Sequence, residues 1–253
     1  MNTSIQLREY QKPMVGGVYR AIKSGKRRIL IIALMGLGKT VISSWIMRDA
    51  VSRGKRCLFV VPLTVLIDQT VETLEALGVH ASALQGDRDY DASAAVTVAS
   101  LQTISSRLRQ GQSLSEILGE KHLLFADEAH VTAFDKNYPK LESYILGNGG
   151  YCVGMTATPW RLSKKQWLGQ KYDVAIEGPQ PPEAIKLGAV VPCRGFRLGG
   201  VFDYEKLKVS KGDFTLDSIA NQATQAEALK MVVAEWKRLA SDRPTMMVGA
   251  TVA

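Results

Sequence analysis

The sequence predicts an α/β protein in which a mainly parallel sheet carries helices on both faces. Apolar runs of strand length, among them Ile29–Met35 and Cys57–Val61, alternate with longer helix-like segments. This alternation is typical of parallel sheets, whose strands are buried on both sides and joined by crossover helices. The first run leads into a glycine loop, and a later one, Leu123–Ala126, ends in adjacent carboxylates. Because open α/β sheets bind ligands at such strand ends, we expect a ligand site there.

The bulk composition limits the class of protein. The chain has 253 residues, of which 46% are hydrophobic and 22% charged, and this is sufficient for one large or two small domains. No apolar run approaches the roughly 20 residues of a bilayer span, and the N-terminus lacks the pattern of a signal peptide. We therefore expect a cytosolic protein without a membrane partner. The net charge of +8 favours a polyanionic partner.

The cysteines give no sign of a disulfide framework or a zinc site. Cys57, Cys152 and Cys193 are scattered and form no Cys-x-x-Cys pair. The first two lie beside apolar runs, so we expect buried free thiols.

The first helix-like segment is Leu7–Gly25, whose apolar residues recur at helical spacing. Gly16 and Gly17 weaken this helix, each by roughly 1 kcal/mol relative to alanine. Near its start, Gln11 offers both a hydrogen-bond donor and an acceptor, as reading the edge of an adenine base requires. A solvated helix glutamine is the alternative interpretation.

The next segment predicts a phosphate-binding loop. After the apolar run come Gly36, Gly38, Lys39 and Thr40, followed by a helix-like stretch to Ser52. Glycines let backbone N–H groups surround phosphate oxygens, the lysine offers a positive charge, and the threonine offers a hydroxyl to Mg²⁺. The helix that follows points its positive N-terminal end at the same anion.

Two further strand–helix pairs follow. Cys57–Val61 ends at Pro62 and leads into the helix Thr64–Leu77, while Val96–Ala99 leads into a helix that opens with Ser100, Gln102 and Thr103. Between the pairs, Val79–Leu84 predicts another strand and Gln85–Ser93 a polar loop. Short hydroxyl side chains at a helix start can cap the helix or contact phosphate, and the residues alone fit both roles.

The strongest chemical signal is the acidic pair at 127–128. The strand Leu123–Ala126 leads to Asp127 and Glu128 at the carboxyl edge of the sheet. There Asp127 can hold Mg²⁺, and Glu128 can orient and deprotonate the water that attacks the γ-phosphate of a triphosphate. A sixth strand, Tyr151–Met155, ends in Thr156 and Thr158.

Four strings together resemble the motifs of superfamily 2 helicases. They are Leu-Arg-x-Tyr-Gln at 7–11, Ala-x-x-Gly-x-Gly-Lys-Thr at 33–40, Asp-Glu-Ala-His at 127–130 and Thr-Ala-Thr at 156–158. They stand in the family's order, and the resemblance covers roughly 7–161. The string from Thr156 to Leu162 is more similar to RadD and XPB-type DNA helicases, and to helicase-like restriction subunits, than to RNA helicases. The resemblance implies a RecA-like P-loop NTPase fold and a nucleic-acid partner, DNA rather than RNA.

The resemblance also implies ATP and Mg²⁺ as ligands and a role for each motif. His130, Thr156 and Thr158 would couple hydrolysis to nucleic-acid movement, and Arg161 would contact phosphate or nucleotide unless it is a surface arginine. Metal binding would fall to Thr40 and Asp127. The implied nucleotide-binding residues are Arg8, Gln11, Met35, Gly36, Leu37, Gly38, Lys39 and Thr40. The implied nucleic-acid contacts are Pro62, Ser100, Gln102 and Thr103.

Beyond Arg161 the pattern changes. Segment 166–201 is rich in proline and glycine and predicts loops around one short helix, Glu183–Leu187, and one or two strands. Two helices, Phe214–Ala220 and Thr224–Ala240, and a strand, Thr245–Ala250, complete the chain. We therefore expect a first RecA-like domain at 1–165, a connecting segment at 166–243, and the first strand of a truncated second RecA-like domain at 244–253. No arginine matches a motif that would supply an arginine finger, so a second such domain or a partner protein is expected to complete the site.

Three functional classes fit these patterns. The first is the motor domain of a DNA helicase or translocase that hydrolyses ATP weakly by itself. The second is an ATP-gated nucleic-acid-binding or regulatory module without unwinding activity, completed by a partner. The third, a small-molecule P-loop kinase, would share the Gly-Lys-Thr loop but would not require Thr-Ala-Thr at 156–158.

Overall fold

The structure is a computed structural model that describes residues 6–86, 90–91, 93–160, 167–196, 203–210, 213–223 and 226–246. The chain divides into two units, residues 1–191 and residues 192–253. Within the described ranges, none of the helices combines the length and the apolar character that crossing a bilayer would require.

The first unit is built on a seven-stranded parallel sheet. Its strands are β1 (Arg28–Ile32), β2 (Cys57–Val61), β3 (Ala81–Leu84), β4 (Val96–Ser100), β5 (Leu123–Ala126), β6 (Tyr151–Thr156) and β7 (Val174–Glu177). They lie in the order β3-β4-β2-β5-β6-β1-β7, and each neighbouring pair is parallel. The predicted α/β class with a parallel sheet is therefore confirmed.

Helices connect the strands and cover both faces of the sheet. They are α1 (Lys12–Lys23), α2 (Lys39–Ser52), α3 (Val65–Ala76), α4 (Leu101–Arg109), α5 (Leu114–Leu118), α6 (Ala129–Thr132), α7 (Tyr138–Gly147) and α8 (Pro181–Lys186), with a short 3₁₀ turn at Leu168–Gln170. Residues of α1, α2 and α3 pack into one hydrophobic core, and residues of α4, α5 and α7 pack into the other.

Side-chain alternation along the strands divides the two cores. Ile29 and Ile31 of β1 belong to the core under α1–α3, whereas Leu30 belongs to the opposite core. Successive side chains of a strand point to opposite faces, so a strand buried on both faces appears in the sequence as an unbroken apolar run. Cys57 and Cys152 lie within such strands as fully buried free thiols, as predicted.

The glycines of α1 have a packing role. The helix begins at Lys12, five residues later than the predicted segment, with Pro13 in its first turn. Gly17 lies against β7, and a β-carbon there would approach Ile176 Cγ2 to 2.9 Å. The weak helix former is therefore explained by a close helix–sheet contact.

The sheet also extends further along the chain than the sequence indicated. Strand β7 pairs with β1 from Ile29↔Val174 to Ile32↔Glu177, so the sheet continues past residue 165, where the first domain was expected to end. β7 is a short edge strand whose residues alternate between half-buried and exposed positions. It therefore lacks the continuous apolar run that revealed the central strands.

The second unit contains a two-stranded antiparallel pair, β8 (Val209–Ser210) and β9 (Asp213–Phe214), a 3₁₀ turn at Tyr204–Lys206, and helices α9 (Leu216–Ala223) and α10 (Ala226–Ala240). Both predicted helices are present, with starts two residues later than expected. The strand predicted at 245–250 lies mostly outside the described residues, and the expected start of a second RecA-like domain stays a prediction.

A fully buried lysine lies at the opposite edge of the sheet from the predicted site. Lys121, just before β5, is 0% exposed, and its Nζ donates to the Ala94 carbonyl oxygen at 3.1 Å. Burial, reinforced by the positive charge of Arg56, lowers the pKa of Lys121 from its ordinary 10.5 to about 8. Folding therefore brings a charged group out of water with one carbonyl acceptor in the described part of the chain.

We expect Lys121→Met to raise the free energy of unfolding at pH 7 by about 1–3 kcal/mol, since it removes this buried charge. Below pH 8 Lys121 is protonated in both the folded and the unfolded chain, so the full free-energy cost of burying its charge is present. Between pH 8 and 10.5 the unfolded chain binds more protons than the folded one, so the stability of the unmodified protein rises and the advantage of the variant shrinks. Urea unfolding of both proteins from pH 7 to 10 measures this difference, with exposed Lys55→Met as the control. If Lys121→Met is less stable than the unmodified protein by an amount that does not change with pH, the buried charge of Lys121 does not destabilise the fold.

Candidate functional site

The parallel arrangement gathers the predicted site residues at one edge of the sheet. The loop 33–38 follows β1, Asp127 follows β5, and Thr156 ends β6, which lies between those two strands. The Ala33 N–H donates to the Thr156 carbonyl oxygen at 2.9 Å, so the start of the loop is joined to the end of β6. Three segments that are far apart in sequence are thus neighbours at one edge of the sheet, and the region between them is here called the cleft.

The loop conformation depends on its glycines. Gly36 and Gly38 have φ of +83° and +75°, in the left-handed region that side chains disfavour. A β-carbon on Gly38 would also lie 2.6 Å from Gln11 Nε2. Met35 is largely exposed at the loop, whereas Leu37 is fully buried and anchors it.

Gln11 holds the loop to the first helix. Its side chain is buried; Nε2 donates to the Leu37 carbonyl oxygen at 2.9 Å, and Oε1 accepts from the Arg8 N–H at 2.9 Å. Each half of the amide keeps a second hydrogen-bonding position, so these bonds are compatible with the predicted base contact. Arg8 itself is exposed, and its guanidinium donates to the Tyr10 hydroxyl at 3.1 Å.

Lys39 and Thr40 form the first turn of α2. The Lys39 Nζ lies 3.5 Å from the Ala33 carbonyl oxygen, at the outer limit of a hydrogen bond. Gly38, the residue before the helix, makes no side-chain cap, so the first N–H groups of α2 face the loop. The ammonium group and the helix start thus supply positive charge to the same cleft.

Asp127 is half-buried, with its backbone N–H bonded to the Val60 carbonyl oxygen at 2.9 Å. Burial raises the pKa of the Asp127 carboxyl group. The Glu128 N–H, which donates to this carboxyl group, and the positive charge of Lys39 act in the opposite direction. The strand order β5-β6-β1 puts Asp127 and the loop that leads to Lys39 at the same edge of the sheet, with one strand between them.

Glu128 has a strained backbone. Its φ of +44° is the one positive value among the non-glycine residues in the described ranges. Such a conformation costs on the order of 1–2 kcal/mol and is often retained where it orients a functional side chain. Here it orients the carboxylate so that Oε2 lies 3.2 Å from His130 Nδ1.

His130 joins that carboxylate to the end of β6. Its Nδ1 lies 2.9 Å from Thr156 Oγ1 and 3.5 Å from Thr158 Oγ1. The Thr156 hydroxyl donates to the Thr158 carbonyl oxygen at 3.1 Å, so its oxygen can only accept from the histidine. Nδ1 therefore carries the proton, and a continuous polar chain runs from Glu128 to Thr158.

The donor set fits a magnesium-bound triphosphate. The loop glycines adopt conformations that expose backbone N–H groups to an anion, and the Lys39 Nζ is not committed to a carboxylate in the described structure. Thr40 and Asp127 supply the hard oxygen ligands that Mg²⁺ prefers. The predicted nucleotide and metal residues are thus brought together, while their roles stay proposals.

The predicted nucleic-acid contacts are of two kinds. Ser100 and Thr103 are buried; the Ser100 hydroxyl accepts from the Thr103 N–H at 3.1 Å and lies 3.0 Å from its Oγ1. They therefore form the N-cap of α4, one of the two roles left open by the sequence. Gln102 is exposed on the same helix, and Pro62 is half-buried at the end of β2.

A polar cavity of about 340 Å³ adjoins Gln102. Its lining is Thr64, Gln85, Gly86, Gln102, Thr103, Ser106, Arg107 and Gln110. Arg107, which the sequence analysis missed, donates to the Gly86 carbonyl oxygen at 3.0 Å. Its position four residues after Thr103, on the same side of one helix, is the signal that could have identified it. Arg161 lies outside the described residues.

Comparison with known proteins assigns the chain to a family. Residues 4–161 match the family model described as type III restriction enzyme, res subunit. A 51.5 kDa protein of Lactococcus phage (isolate 7-9) is 27% identical over 184 residues, which cover 73% of this chain and 35% of that protein. The RNA polymerase-associated protein RapA of Vibrio atlanticus is 28% identical over 192 residues, covering 64% of this chain and 20% of the relative. The chain thus spans about a third or less of these relatives.

Solved structures show the same fold. The Hef helicase domain of Pyrococcus furiosus superposes with a TM-score of 0.54 at 22% identity, covering 71% of this chain and 39% of that one. The UvsW helicase of bacteriophage T4 gives a TM-score of 0.53 at 18% identity, covering 68% and 60%. The RecA-like fold is therefore confirmed. The chain belongs to the family of type III restriction enzyme res subunits.

Proposed function

We propose that this chain is the first ATP-hydrolysing motor domain of a superfamily 2 DNA helicase or translocase of the RadD and XPB-like branch. The observation that supports the proposal is that the loop before Lys39, the residue Asp127 and the chain Glu128–His130–Thr156 follow three neighbouring strands at one edge of the sheet. A plain anion-binding loop would require the lysine alone. The family match and the likeness to helicase structures support the same conclusion.

In this proposal each residue of the cleft has one task. Lys39 and the N–H groups of the loop bind the β- and γ-phosphates, while Thr40 and Asp127 hold Mg²⁺. Bound magnesium would offset the negative charge of the phosphates. Glu128 orients and deprotonates the attacking water, and its left-handed backbone fixes its direction.

The polar chain would couple hydrolysis to movement of nucleic acid. His130 contacts both the Glu128 carboxylate and the Thr156 hydroxyl, so a change at the catalytic carboxylate alters the hydrogen bonding at the end of β6. Thr158, which is exposed, ends this chain. Its exposed position would allow it to transmit a change in hydrogen bonding at Glu128 to a partner surface.

DNA would bind along the neighbouring strand ends. The cavity beside Gln102 and Arg107 is lined by amide, hydroxyl and guanidinium groups, which donate hydrogen bonds to phosphate oxygens in protein–DNA complexes. The net charge of +8 favours the same partner. We further propose that a second RecA-like domain or a partner protein completes the cleft, because no arginine of this chain matches a motif that would supply an arginine finger.

The proposal is tested by ATP hydrolysis of this chain with Mg²⁺, alone and with single-stranded DNA, duplex DNA or RNA. We expect nucleotide binding, slow basal hydrolysis that DNA increases, and no unwinding of duplex. If DNA does not affect hydrolysis and the chain phosphorylates a small molecule, the proposal is wrong and the chain is a small-molecule kinase. Binding of ATP and DNA without hydrolysis would favour an ATP-gated binding module instead. Robust unwinding would show that the chain needs no partner.

A further inference from the structure

Helix α4 carries a second cavity, on the flank away from Arg107. This cavity has a volume of about 150 Å³. Its lining is Ser105, Leu108, Arg109, Lys136, Asn137 and Lys140. On a helix of 3.6 residues per turn, residues 105 and 109 lie on one flank and residues 103 and 107 on the other, with 102, 106 and 110 between them. The helix is thus a ridge between two polar cavities.

The second cavity gathers positive charge. Arg109, Lys136 and Lys140 are all exposed, and among the described residues no carboxylate lines the cavity. The nine residues of α4 include no acidic side chain. Asp135 is adjacent to Lys136 in sequence, and its Oδ1 accepts the Asn137 N–H at 2.8 Å, but it is not among the residues that line the cavity. Three cations that converge in this way repel one another unless an anion lies between them.

The charge of the second cavity is not offset by ion pairs in the described residues. Lys12, Arg28, Arg53, Lys206 and Arg238 each pair with a carboxylate. In the ranges that the structure describes, the ion pairs include none of the three cations of the second cavity.

The cluster is held in place by a link between two helices. Asn137 Nδ2, just before α7, donates to Ser105 Oγ of α4 at 2.6 Å. The link holds the start of α7, with Lys140 and the preceding Lys136, beside the helix that carries Arg109. A site that is already ordered loses less entropy when it binds a ligand.

The spacing of the two flanks suits a double helix. An α-helix with its side chains is about 10–12 Å across, and the grooves of B-DNA are roughly 6 and 12 Å wide. A helix that lies over a groove can therefore contact the phosphates of one strand on each flank. We infer that α4 binds duplex DNA in this way, with Arg107 contacting one strand and Lys136, Lys140 and Arg109 contacting the other. This inference rests on the proposed function and adds a preference for two-stranded substrate.

The test is fluorescence anisotropy of a labelled short duplex DNA and of one of its strands, titrated with the unmodified 253-residue chain and with Lys136→Ala/Lys140→Ala at several salt concentrations. For the duplex we expect affinity at low salt to fall about tenfold, and the slope of log K against log salt to become less steep by about 2, one for each lost phosphate contact. For the single strand we expect a change within about twofold. The control is Lys23→Ala/Lys55→Ala, which removes the same charge from exposed positions at the opposite edge of the sheet and should leave both affinities within about twofold.

The outcomes separate this inference from the proposed function. If the unmodified chain binds neither DNA, the proposed function fails. If it binds both and Lys136→Ala/Lys140→Ala matches the control, or weakens both DNAs equally, the assignment of a second strand to this flank is overturned. Matching thermal unfolding midpoints of all variants would show that the losses are not due to unfolding.

Discussion

Glu128→Gln should lower DNA-stimulated ATP hydrolysis by about 10²–10⁴-fold, because the amide can neither deprotonate nor orient the attacking water as a carboxylate does. The affinity for MgATP should stay within about threefold, since the phosphate and metal contacts belong to other residues. Steady-state hydrolysis and binding of a fluorescent ATP analogue measure the two quantities.

Glu128→Gln removes the charge and basicity of this side chain while keeping its shape and contacts. Glutamine preserves the shape of the side chain and the left-handed backbone at φ +44°, so any strain at this position is unchanged. It also keeps an oxygen that can accept from His130 Nδ1, now 3.2 Å from the carboxylate. The loss should therefore report the missing charge and basicity.

Glu72→Gln is the matched control, because Glu72 is exposed on α3, away from the cleft. It should hydrolyse ATP at the unmodified rate. If Glu128→Gln keeps more than a tenth of the activity while the control is unchanged, the base lies elsewhere in the cleft.

Lys39→Ala should weaken the binding of MgATP by about 10–100-fold, equivalent to the 1.5–3 kcal/mol of a charge-assisted hydrogen bond. Hydrolysis at limiting ATP should fall by at least the same factor. The fold should not suffer, because the one described hydrogen bond of Nζ, to the Ala33 carbonyl oxygen, is long at 3.5 Å. Isothermal titration with MgATP and a thermal unfolding curve measure affinity and stability.

Lys55→Ala, at an exposed lysine before β2, removes the same charge without touching the loop. It should bind MgATP as tightly as the unmodified chain. Equal losses in both variants would mean that Lys39 acts only through the overall field of the protein.

The central strands could be predicted from the sequence, because a strand buried on both faces has an unbroken apolar run. Cys57–Val61 and Leu123–Ala126 are of this kind, and every residue in them is buried. The phosphate loop could be predicted for a different reason. Its function requires particular residue types at fixed spacing, and those types are visible without any knowledge of packing.

The sheet edge and the backbone details could not be predicted in this way. Strand β7 has half-exposed residues in a region rich in proline and glycine, so its pairing with β1 depends on tertiary contact. The left-handed conformation of Glu128 leaves no trace in composition, since glutamate there gives no turn signal.

The surfaces of α4 depended on contacts between distant segments. Lys136 joins Arg109 only because α7 packs beside α4, and Asn137 bonds Ser105 across 32 positions. The buried position of Lys121 is another example, because charged residues are ordinarily exposed and no local pattern indicates otherwise.

The most direct measurement of whether Lys39 and Asp127 share one magnesium-bound triphosphate is a double-mutant cycle on the affinity for MgATP, using Lys39→Ala, Asp127→Asn and the double variant. We expect each single substitution to weaken binding and the double variant to lose less than the sum, with an interaction energy of about 1–3 kcal/mol. In the absence of Mg²⁺, Asp127→Asn should have little effect. Losses that add within about 0.5 kcal/mol, with or without Mg²⁺, would show that the two residues act on separate ligands and would contradict the motor-domain interpretation.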